Sequence, residues 1–199
     1  MSYRLSSSRL FIATDISNSV RKIIETIIAQ MAASAPPTLH WVPVNNIHLT
    51  IKFLGETPPT KIIEIEHTLN DVCSKFNPFE VEVGGLGAFP KLDQPRVIWA
   101  GVKICPDLAN LHIGIEKSML KLGFALENRP FSAHLTLSRV PDHFLPDQLA
   151  AISQIIKATK VNEIGSFNVN SVNLFRSDLK SGGAIYTCLH SANLAVNPK

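Results

Sequence analysis

The sequence predicts an α+β fold with two lobes, in which each lobe is an antiparallel sheet covered on one face by two helices. A four-residue motif occurs twice, as His-Leu-Thr-Ile at residues 48–51 and His-Leu-Thr-Leu at residues 134–137. Each copy alternates polar and apolar side chains, as a half-buried strand does, and each is followed by a helical pattern and then by two strand-like segments. We therefore expect two similar lobes, with one motif strand in each and a central cleft between them.

The alternation within each motif puts its polar side chains on one surface. Residues two apart on a strand point to the same face and lie about 7 Å apart along the strand. Each copy thus offers an imidazole and a hydroxyl to the cleft, from His48 and Thr50 or from His134 and Thr136, and two aliphatic side chains to a core. We assign Lys52 to the aliphatic side of its strand and leave it out of the site.

The chain begins with a strand, predicted over residues 9–15. Apolar residues then recur with the period of a helix, which Ser17 or Asn18 would cap and the Ala-Pro-Pro at residues 35–37 would end. The first motif strand follows. A second helix is expected after it, with its cap near Thr60.

The middle of the chain predicts a hairpin and a helix. Residues 79–83 alternate as a strand, and the glycines that follow indicate a bulged, bent strand. They do not fit a phosphate-binding loop, because no helix with Lys followed by Ser or Thr comes after them. Residues 96–102 give the partner strand, and residues 106–123 a third helix that a glycine ends.

The last part of the chain completes the second lobe. A fourth helix is expected over residues 146–159, and two closing strands over residues 167–175 and 184–195, around the Ser-Gly-Gly at 181–183. Residues 1–199 are thus expected to form one domain made of two interleaved, similar lobes.

Composition narrows the class of protein. With 199 residues and 45% hydrophobic content the chain can bury a sizeable core, and the net charge of +3 permits an anionic ligand without identifying one. Because no long apolar run or signal-peptide pattern is present, we expect a cytoplasmic protein with no membrane contact. We also expect a monomer with no obligate protein partner. The cysteines, at positions 73, 105 and 188, are odd in number and widely spaced, which predicts neither disulfides nor a cysteine metal site.

Two imidazoles that share a cleft suit general acid and base catalysis, because the unperturbed pKa of histidine lies near 6.5. The threonine hydroxyls and a nearby arginine would bind the oxygens of an anion whose charge grows in the transition state, and a phosphodiester fits this description. A catalytic zinc needs about three protein ligands. Neither motif carries a second ligand at suitable spacing, so we expect no metal and no cofactor. A threonine nucleophile is disfavoured against a threonine that positions substrate.

Several fragments accompany the two motifs in a characteristic order. They are RLFIA at 9–13, WVP at 41–43, FLGE at 53–56, GLGAFP at 85–90, PRVIW at 95–99, RPF at 129–131 and GAIY at 183–186. Together with the paired His-x-Thr-x motifs, they make the sequence resemble the two-histidine (2H) phosphoesterases from end to end. Within that superfamily it is similar to the bacterial and archaeal RNA 2',3'-cyclic phosphodiesterases, also called 2'-5' RNA ligases.

This resemblance implies a pseudo-symmetric bilobal fold and a metal-independent hydrolase in RNA processing. Its substrate would be an RNA with a 2',3'-cyclic phosphate end, or a cyclic nucleotide, and its product a 2'-phosphate. By the resemblance, His48 donates a proton to the departing 3' oxygen and His134 activates water. Thr50 and Thr136 hold phosphate oxygens, and Arg139, five residues after the second histidine, is a further phosphate ligand.

The position that matches Arg139 after the first histidine is Phe53, which suits stacking or packing near a base. Tyr186 is a second candidate for stacking on the nucleotide, with a place in the core as the alternative. Two other functions remain open at this point. One is hydrolysis of small nucleotide or sugar cyclic phosphates, and the other is a binding module without turnover, against which both intact motifs argue. Ligation through a 2'-5' linkage is the reverse chemistry and needs no new residues.

Overall fold

The computed structural model describes residues 7–180 and 183–195, and it confirms the mixed helix and strand class. Nine strands and four helices are present in these residues. The strands are β1 (Ser8–Asp15), β2 (His40–Trp41), β3 (His48–Thr57), β4 (Phe79–Lys91), β5 (Gln94–Val102), β6 (His134–Arg139), β7 (Gly165–Val169), β8 (Ser171–Lys180) and β9 (Gly183–Asn193). The helices are α1 (Asn18–Ala32), α2 (Ile62–Cys73), α3 (Pro106–Lys121) and α4 (Pro146–Ala158).

The described strands form one curled antiparallel sheet in the order β7-β4-β5-β6-β3-β1-β8-β9, and the short β2 also pairs with β6. The two sheets expected from the sequence are the two halves of this sheet. Strands β3, β1, β8 and β9 make the first half, and β6, β5, β4 and β7 make the second. The halves join where β3 meets β6, through the pair of Leu49 and Leu135.

Each half carries two helices, as predicted. Helices α2 and α3 pack against each other and cover the first half, where α2 contacts β8 and β9 and α3 contacts β3. Helix α1 contacts β7 and helix α4 contacts β5, so these two cover the second half. Because α1 comes from the start of the chain and β8 and β9 come from its end, the two halves are interleaved in sequence.

The first helix forms where the sequence predicts it. Ser17 is its N-cap, and the Ser17 hydroxyl accepts a hydrogen bond from the backbone N–H of Val20 at 3.3 Å. This bond satisfies one of the N–H groups that the first turn leaves without a partner. Val20, Ile24, Ile27 and Met31 lie on one face and are buried, which is the amphipathic pattern of a helix laid on a sheet.

Strand β4 has the bulge that its glycines predict. The register with β5 shifts between Gly84 and Leu86, so Gly85, with a φ of 68°, is the extra residue. Gly87 lies opposite Trp99, and a Cβ atom at this glycine would come within 2.3 Å of the indole ring. Position 87 therefore requires glycine because the indole ring occupies the space of a side chain.

Two local predictions are wrong, and one short strand was not predicted. The second helix is not capped by Thr60, because a 3₁₀ turn (Pro59–Lys61) precedes it and no side chain caps its first turn. The strand expected over residues 167–175 is two strands, β7 and β8, which separate at Asn170 because β7 pairs with β4 whereas β8 pairs with β1. Strand β2 was not expected. Of the predicted turn at 181–183, the first two residues lie outside the described residues.

Buried apolar side chains from both halves form one hydrophobic cluster. Leu49 and Leu135, which join the halves, are fully buried within it. We predict that Leu49→Ala lowers the free energy of unfolding by about 2–5 kcal/mol, because it leaves a cavity at the join. Urea denaturation followed by circular dichroism measures this loss.

The control for this prediction is Ile63→Ala. Ile63 lies on α2 and is 67% exposed, so its truncation should change the unfolding free energy by no more than about 0.5 kcal/mol. Equal losses in the two variants would contradict the view that the join is packed core.

Candidate active site

The two motif strands, β3 and β6, meet at the middle of the sheet. Leu49 lies opposite its counterpart in β6 in antiparallel register, so His48 lies across from Thr136 and Thr50 lies across from His134. Side chains that are opposite each other in an antiparallel pair point to the same face, with Cβ atoms about 5 Å apart, and diagonal neighbours are about 7–8 Å apart. The structure thus brings the four motif side chains predicted from the sequence onto one face of the sheet.

The imidazole of His48 is oriented by the backbone just before it. Its Nδ1 lies 2.7 Å from the carbonyl oxygen of Asn46, the last residue of a 3₁₀ turn (Val44–Asn46). The Asn46 side chain donates a hydrogen bond of 2.9 Å to the carbonyl oxygen of Ala184 in β9. A carbonyl oxygen only accepts, so Nδ1 carries a proton and Nε2 is the ring atom left for chemistry.

His134 has the same arrangement. Its Nδ1 lies 2.7 Å from the carbonyl oxygen of Ser132, two residues earlier, as in the first motif. The next residue, Ala133, is held by β5, because its carbonyl oxygen accepts a hydrogen bond of 3.0 Å from the Val102 N–H. Both rings therefore present Nε2, and each Nε2 can accept or donate a proton according to the charge of its ring.

Aromatic rings pack against the imidazole of His48. The Phe11 ring is stacked on it with centroids 4.8 Å apart, and the Phe175 ring is stacked against both, 5.3 Å from Phe11 and 6.2 Å from the imidazole. The Tyr186 ring meets the imidazole edge-on at 5.3 Å. Tyr186 is half-buried, and its ring contacts the imidazole directly.

His134 also lies against aromatic rings, here from β4 and β5. The Phe89 ring meets it edge-on with centroids 5.0 Å apart, and the Trp99 ring lies at 6.5 Å. These contacts fix the plane of the imidazole and remove water from one side of it.

Both histidines have a pKa below the usual 6.5. Burial, which disfavours the charged ring, is the largest cause for each. The bonds to the carbonyl oxygens of Asn46 and Ser132 act in the opposite direction, and the positive charge of Arg139 lowers the pKa of both rings further. The rings also interact with each other, since a charge on His134 lowers the pKa of His48.

A carboxylate distinguishes His48 from His134. Asp15, at the end of β1, lies opposite His48 in the register of β1 and β3, and its charge raises the pKa of that histidine. The Asn173 side chain donates a hydrogen bond of 2.9 Å to Asp15 Oδ2 and holds the carboxylate in place. The sequence analysis missed both residues. The available signal was an acidic residue at the end of the predicted first strand.

A bulge in β3 decides which side chains after Thr50 lie on the face of the sheet that carries the motif histidines, which we call the cleft face. The register with β1 shifts between Thr50 and Lys52, so one extra residue breaks the alternation. Lys52 is 5% exposed and faces the core, as predicted, although strict alternation would have put it on the same face of the sheet as His48. Phe53 is 65% exposed, and its ring lies 6.3 Å from that of Phe11 on the cleft face.

Strand β6 has a matching bulge. Its register with β5 shifts between Thr136 and Ser138, which turns Ser138 into the core and leaves Arg139 exposed. The Arg139 guanidinium makes no hydrogen bond or ion pair with any residue that the structure describes, and its charge reaches both histidines. Phe53 and Arg139 are thus placed alike, each five residues after a motif histidine.

Two further observations concern the described residues. Within residues 7–180 and 183–195, no group of three or more His, Cys, Asp or Glu side chains is arranged to hold a metal ion. In the same residues, no helix has the length and apolar character needed to cross a membrane.

Comparison with known proteins gives consistent matches. A family model described as LigT-like phosphoesterase matches residues 15–99 and 103–186. An RNA 2',3'-cyclic phosphodiesterase of Methanothermobacter thermautotrophicus is 33% identical over 179 residues, which cover 90% of this chain and 95% of that protein. The RNA 2',3'-cyclic phosphodiesterase of Archaeoglobus fulgidus is 33% identical over 178 residues, which cover 89% and 96% of the two chains.

Solved structures agree with these sequence matches. A crystal structure of a Thermus thermophilus protein superposes with a TM-score of 0.76 at 25% identity, over 94% of this chain and 97% of that one. Escherichia coli LigT complexed with 3'-AMP superposes with a TM-score of 0.72 at 26% identity, over 94% of this chain and 98% of that one.

We predict that Asp15→Asn lowers the pKa of His48 further and leaves that of His134 unchanged. The substitution removes the negative charge that favours protonation of His48, whereas Asp15 is not among the groups that shift the pKa of His134. An NMR titration of the imidazole C–H signals measures both pKa values. Asp71→Asn, an exposed change on α2, is the control, and an equal shift of both histidines in Asp15→Asn would contradict the assignment.

Proposed function

The chain belongs to the LigT-like phosphoesterase family, and from this membership we propose that it is an RNA 2',3'-cyclic phosphodiesterase. It would hydrolyse a 2',3'-cyclic phosphate at an RNA end to a 2'-phosphomonoester. Relatives that match most of its length carry that name. The observation that carries the proposal is the pair of imidazoles on one face of the sheet, each with a free Nε2 and a threonine hydroxyl across from it.

In the proposed reaction, a water oxygen forms a bond to phosphorus while the bond between phosphorus and the 3' oxygen breaks. His134 Nε2 takes a proton from the attacking water as general base. His48, protonated at Nε2, gives its proton to the departing 3' oxygen as general acid. The 2' oxygen keeps the phosphate. At the end of the cycle the charges of the two rings are reversed, and proton exchange with solvent restores them.

Electrostatics support this division of roles. Burial lowers both pKa values, so both rings are mostly neutral in the free protein at neutral pH. A phosphodiester anion bound between them would favour protonation of one ring. Arg139 opposes protonation of both rings, whereas the charge of Asp15 favours the protonated form of His48 alone. The acid is therefore His48 and the base His134 in this proposal.

The remaining cleft residues would bind the substrate. Thr50 and Thr136 would donate hydrogen bonds to the non-bridging oxygens of the phosphate, whose charge grows in the transition state. Arg139 would add a positive charge on the same side, with a guanidinium geometry suited to phosphate. Phe53, the exposed ring at the matching position, would stack on a base of the RNA. Tyr186 would act through His48, which its ring contacts.

A small cyclic nucleotide is the second candidate substrate. Escherichia coli LigT, which shares the fold, is complexed with 3'-AMP in its crystal structure, and this supports a mononucleotide as a ligand of a protein with this fold. The joining of RNA ends through a 2'-5' linkage is the reverse reaction, in which an RNA hydroxyl replaces water. It would require no residue beyond those named above.

We predict that His48→Ala and His134→Ala each lower the rate by about 10² to 10⁴, the usual range for one general acid or base. The double variant should lose little more than either single one, because the two groups act as a unit. The assay uses an oligoribonucleotide with a 2',3'-cyclic phosphate end in excess chelator and identifies the phosphomonoester formed. His67→Ala, an exposed histidine on α2, is the control.

Three results would contradict parts of this proposal. Turnover that the chelator abolishes would contradict metal-independent catalysis. Hydrolysis of 2',3'-cyclic AMP without hydrolysis of the oligoribonucleotide would favour the second candidate substrate. Absence of turnover with both substrates would leave a binding role for the cleft and would remove the catalytic assignment.

We also predict that Phe53→Ala raises KM for the oligoribonucleotide by roughly 5- to 150-fold, the equivalent of one lost base stack. Phe53→Tyr should keep KM near the wild-type value because it keeps the ring. Steady-state kinetics measure this change in KM. Ile63→Ala, which also truncates an exposed apolar side chain, is the control. An unchanged KM in Phe53→Ala would exclude a stacking role for this residue.

A further inference from the structure

A buried ion pair lies behind the first motif strand, on the face of the sheet away from the cleft. Lys52 Nζ, from β3, lies 2.8 Å from both carboxylate oxygens of Glu116, from α3. The two side chains are only 3% and 9% exposed. Taking two charges out of water costs free energy, and a buried ion pair often adds no more stability than apolar side chains of similar volume would. Its presence here needs a reason other than stability.

The pair also binds the α3–β6 segment (residues 122–133), which leads from α3 to the second motif. Lys52 Nζ donates a third hydrogen bond, of 2.8 Å, to the carbonyl oxygen of Ala125. Glu116 Oε2 accepts a bond of 3.3 Å from the backbone N–H of Glu127. Lys52 thus binds a carbonyl oxygen of the segment, and Glu116 binds a backbone N–H two residues later.

The same helix fixes the far end of the segment. His112, one turn before Glu116 in α3, has its ring stacked on that of Phe131 with centroids 4.0 Å apart and planes inclined by 13°. Its Nε2 lies 3.9 Å from Glu116 Oε1. The residue after Phe131 is Ser132, whose carbonyl oxygen lies 2.7 Å from His134 Nδ1. Phe131, which His112 holds, is therefore bonded directly to the residue whose carbonyl oxygen orients the imidazole of His134.

We propose that the Lys52–Glu116 pair is a positioning element for His134, which holds the α3–β6 segment so that Ser132 presents its carbonyl oxygen to the ring. Lys52 belongs to the strand of the first motif, so the pair ties the position of the second histidine to the strand that carries the first. The inference rests on the proposed function only for its kinetic consequence. The orientation of the ring follows from the contacts alone.

His48 provides an internal reference. Its acceptor belongs to Asn46, which is held by Ala184 of β9 and by the 3₁₀ turn before β3, and both of these lie outside the α3–β6 segment. Removal of the pair should therefore affect His134 and leave His48 as it is. General loosening of the protein would affect both rings.

The test replaces the pair by apolar residues of similar size, in Lys52→Met/Glu116→Leu. The first readout is the ring tautomer of each histidine, measured from imidazole ¹⁵N chemical shifts at alkaline pH, where both rings are neutral. We expect the proton of His134 to shift partly from Nδ1 to Nε2, with His48 unchanged. We also expect kcat to fall roughly 10- to 100-fold, the range for a displaced catalytic group, with a smaller change in KM and without a matching loss of thermal stability.

The control replaces an exposed pair in the same way. Lys103 and Glu82 lie 3.1 Å apart with side chains 71% and 66% exposed, so Lys103→Met/Glu82→Leu should change neither tautomer nor kcat. A wild-type tautomer for His134 in a folded Lys52→Met/Glu116→Leu protein would overturn the proposal. So would equal changes at both histidines.

A second variant covers the case in which the first does not fold. His112→Ala removes the ring beneath Phe131 and leaves the ion pair in place, and it should shift the His134 tautomer in the same direction to a smaller extent. An unaffected His134 ring in this variant would overturn the proposal as well. If the wild-type protein hydrolyses none of the cyclic phosphates, the proposed function fails, but the tautomer measurement still decides the positioning role.

Discussion

The antiparallel contact between β3 and β6 is the constraint on which the site depends. Each of these strands starts with a histidine, and a buried leucine follows in each and pairs across the join. Antiparallel register then puts each imidazole across from a hydroxyl of the other motif. A register shift of one residue would turn every motif side chain to the opposite face. Both leucines are fully buried in the hydrophobic cluster, and their burial favours this register over a shifted one.

The site combines two opposing effects on each imidazole. Burial against aromatic rings disfavours the charged form, whereas the bond from Nδ1 to a backbone carbonyl favours it. The carbonyl also fixes which ring nitrogen faces the cleft. The result is a pair of rings with a fixed orientation and a lowered pKa. A bound anion would favour the protonated form of either ring. The two rings differ in charged neighbours, since Asp15 acts on His48 and Arg139 acts on both.

Local patterns predicted the elements and the four motif side chains, because periodicity and capping depend on residues near in sequence. Ser17 as a cap is an example. Features that depend on distant partners were missed. The break at Asn170 is set by the different partners of β7 and β8. Asp15 reaches His48 only through strand pairing, and Glu116 reaches Lys52 only through helix packing. From a resemblance, Phe53 was expected to stack or pack near a base, whereas the physical cause of its exposure is a bulge that alternation cannot reveal.

The interleaving of the two halves has a consequence for biosynthesis. Strand β1 pairs with β8, and Phe175 of β8 completes the ring stack behind His48. Both motif histidines leave the ribosome well before this strand, since chains emerge from the N-terminus. A nascent chain therefore lacks part of the wall around His48 until β8 has been made, well after both motifs. Such distant pairing is also slow compared with helix formation, so the wall beside His48 is completed late in folding.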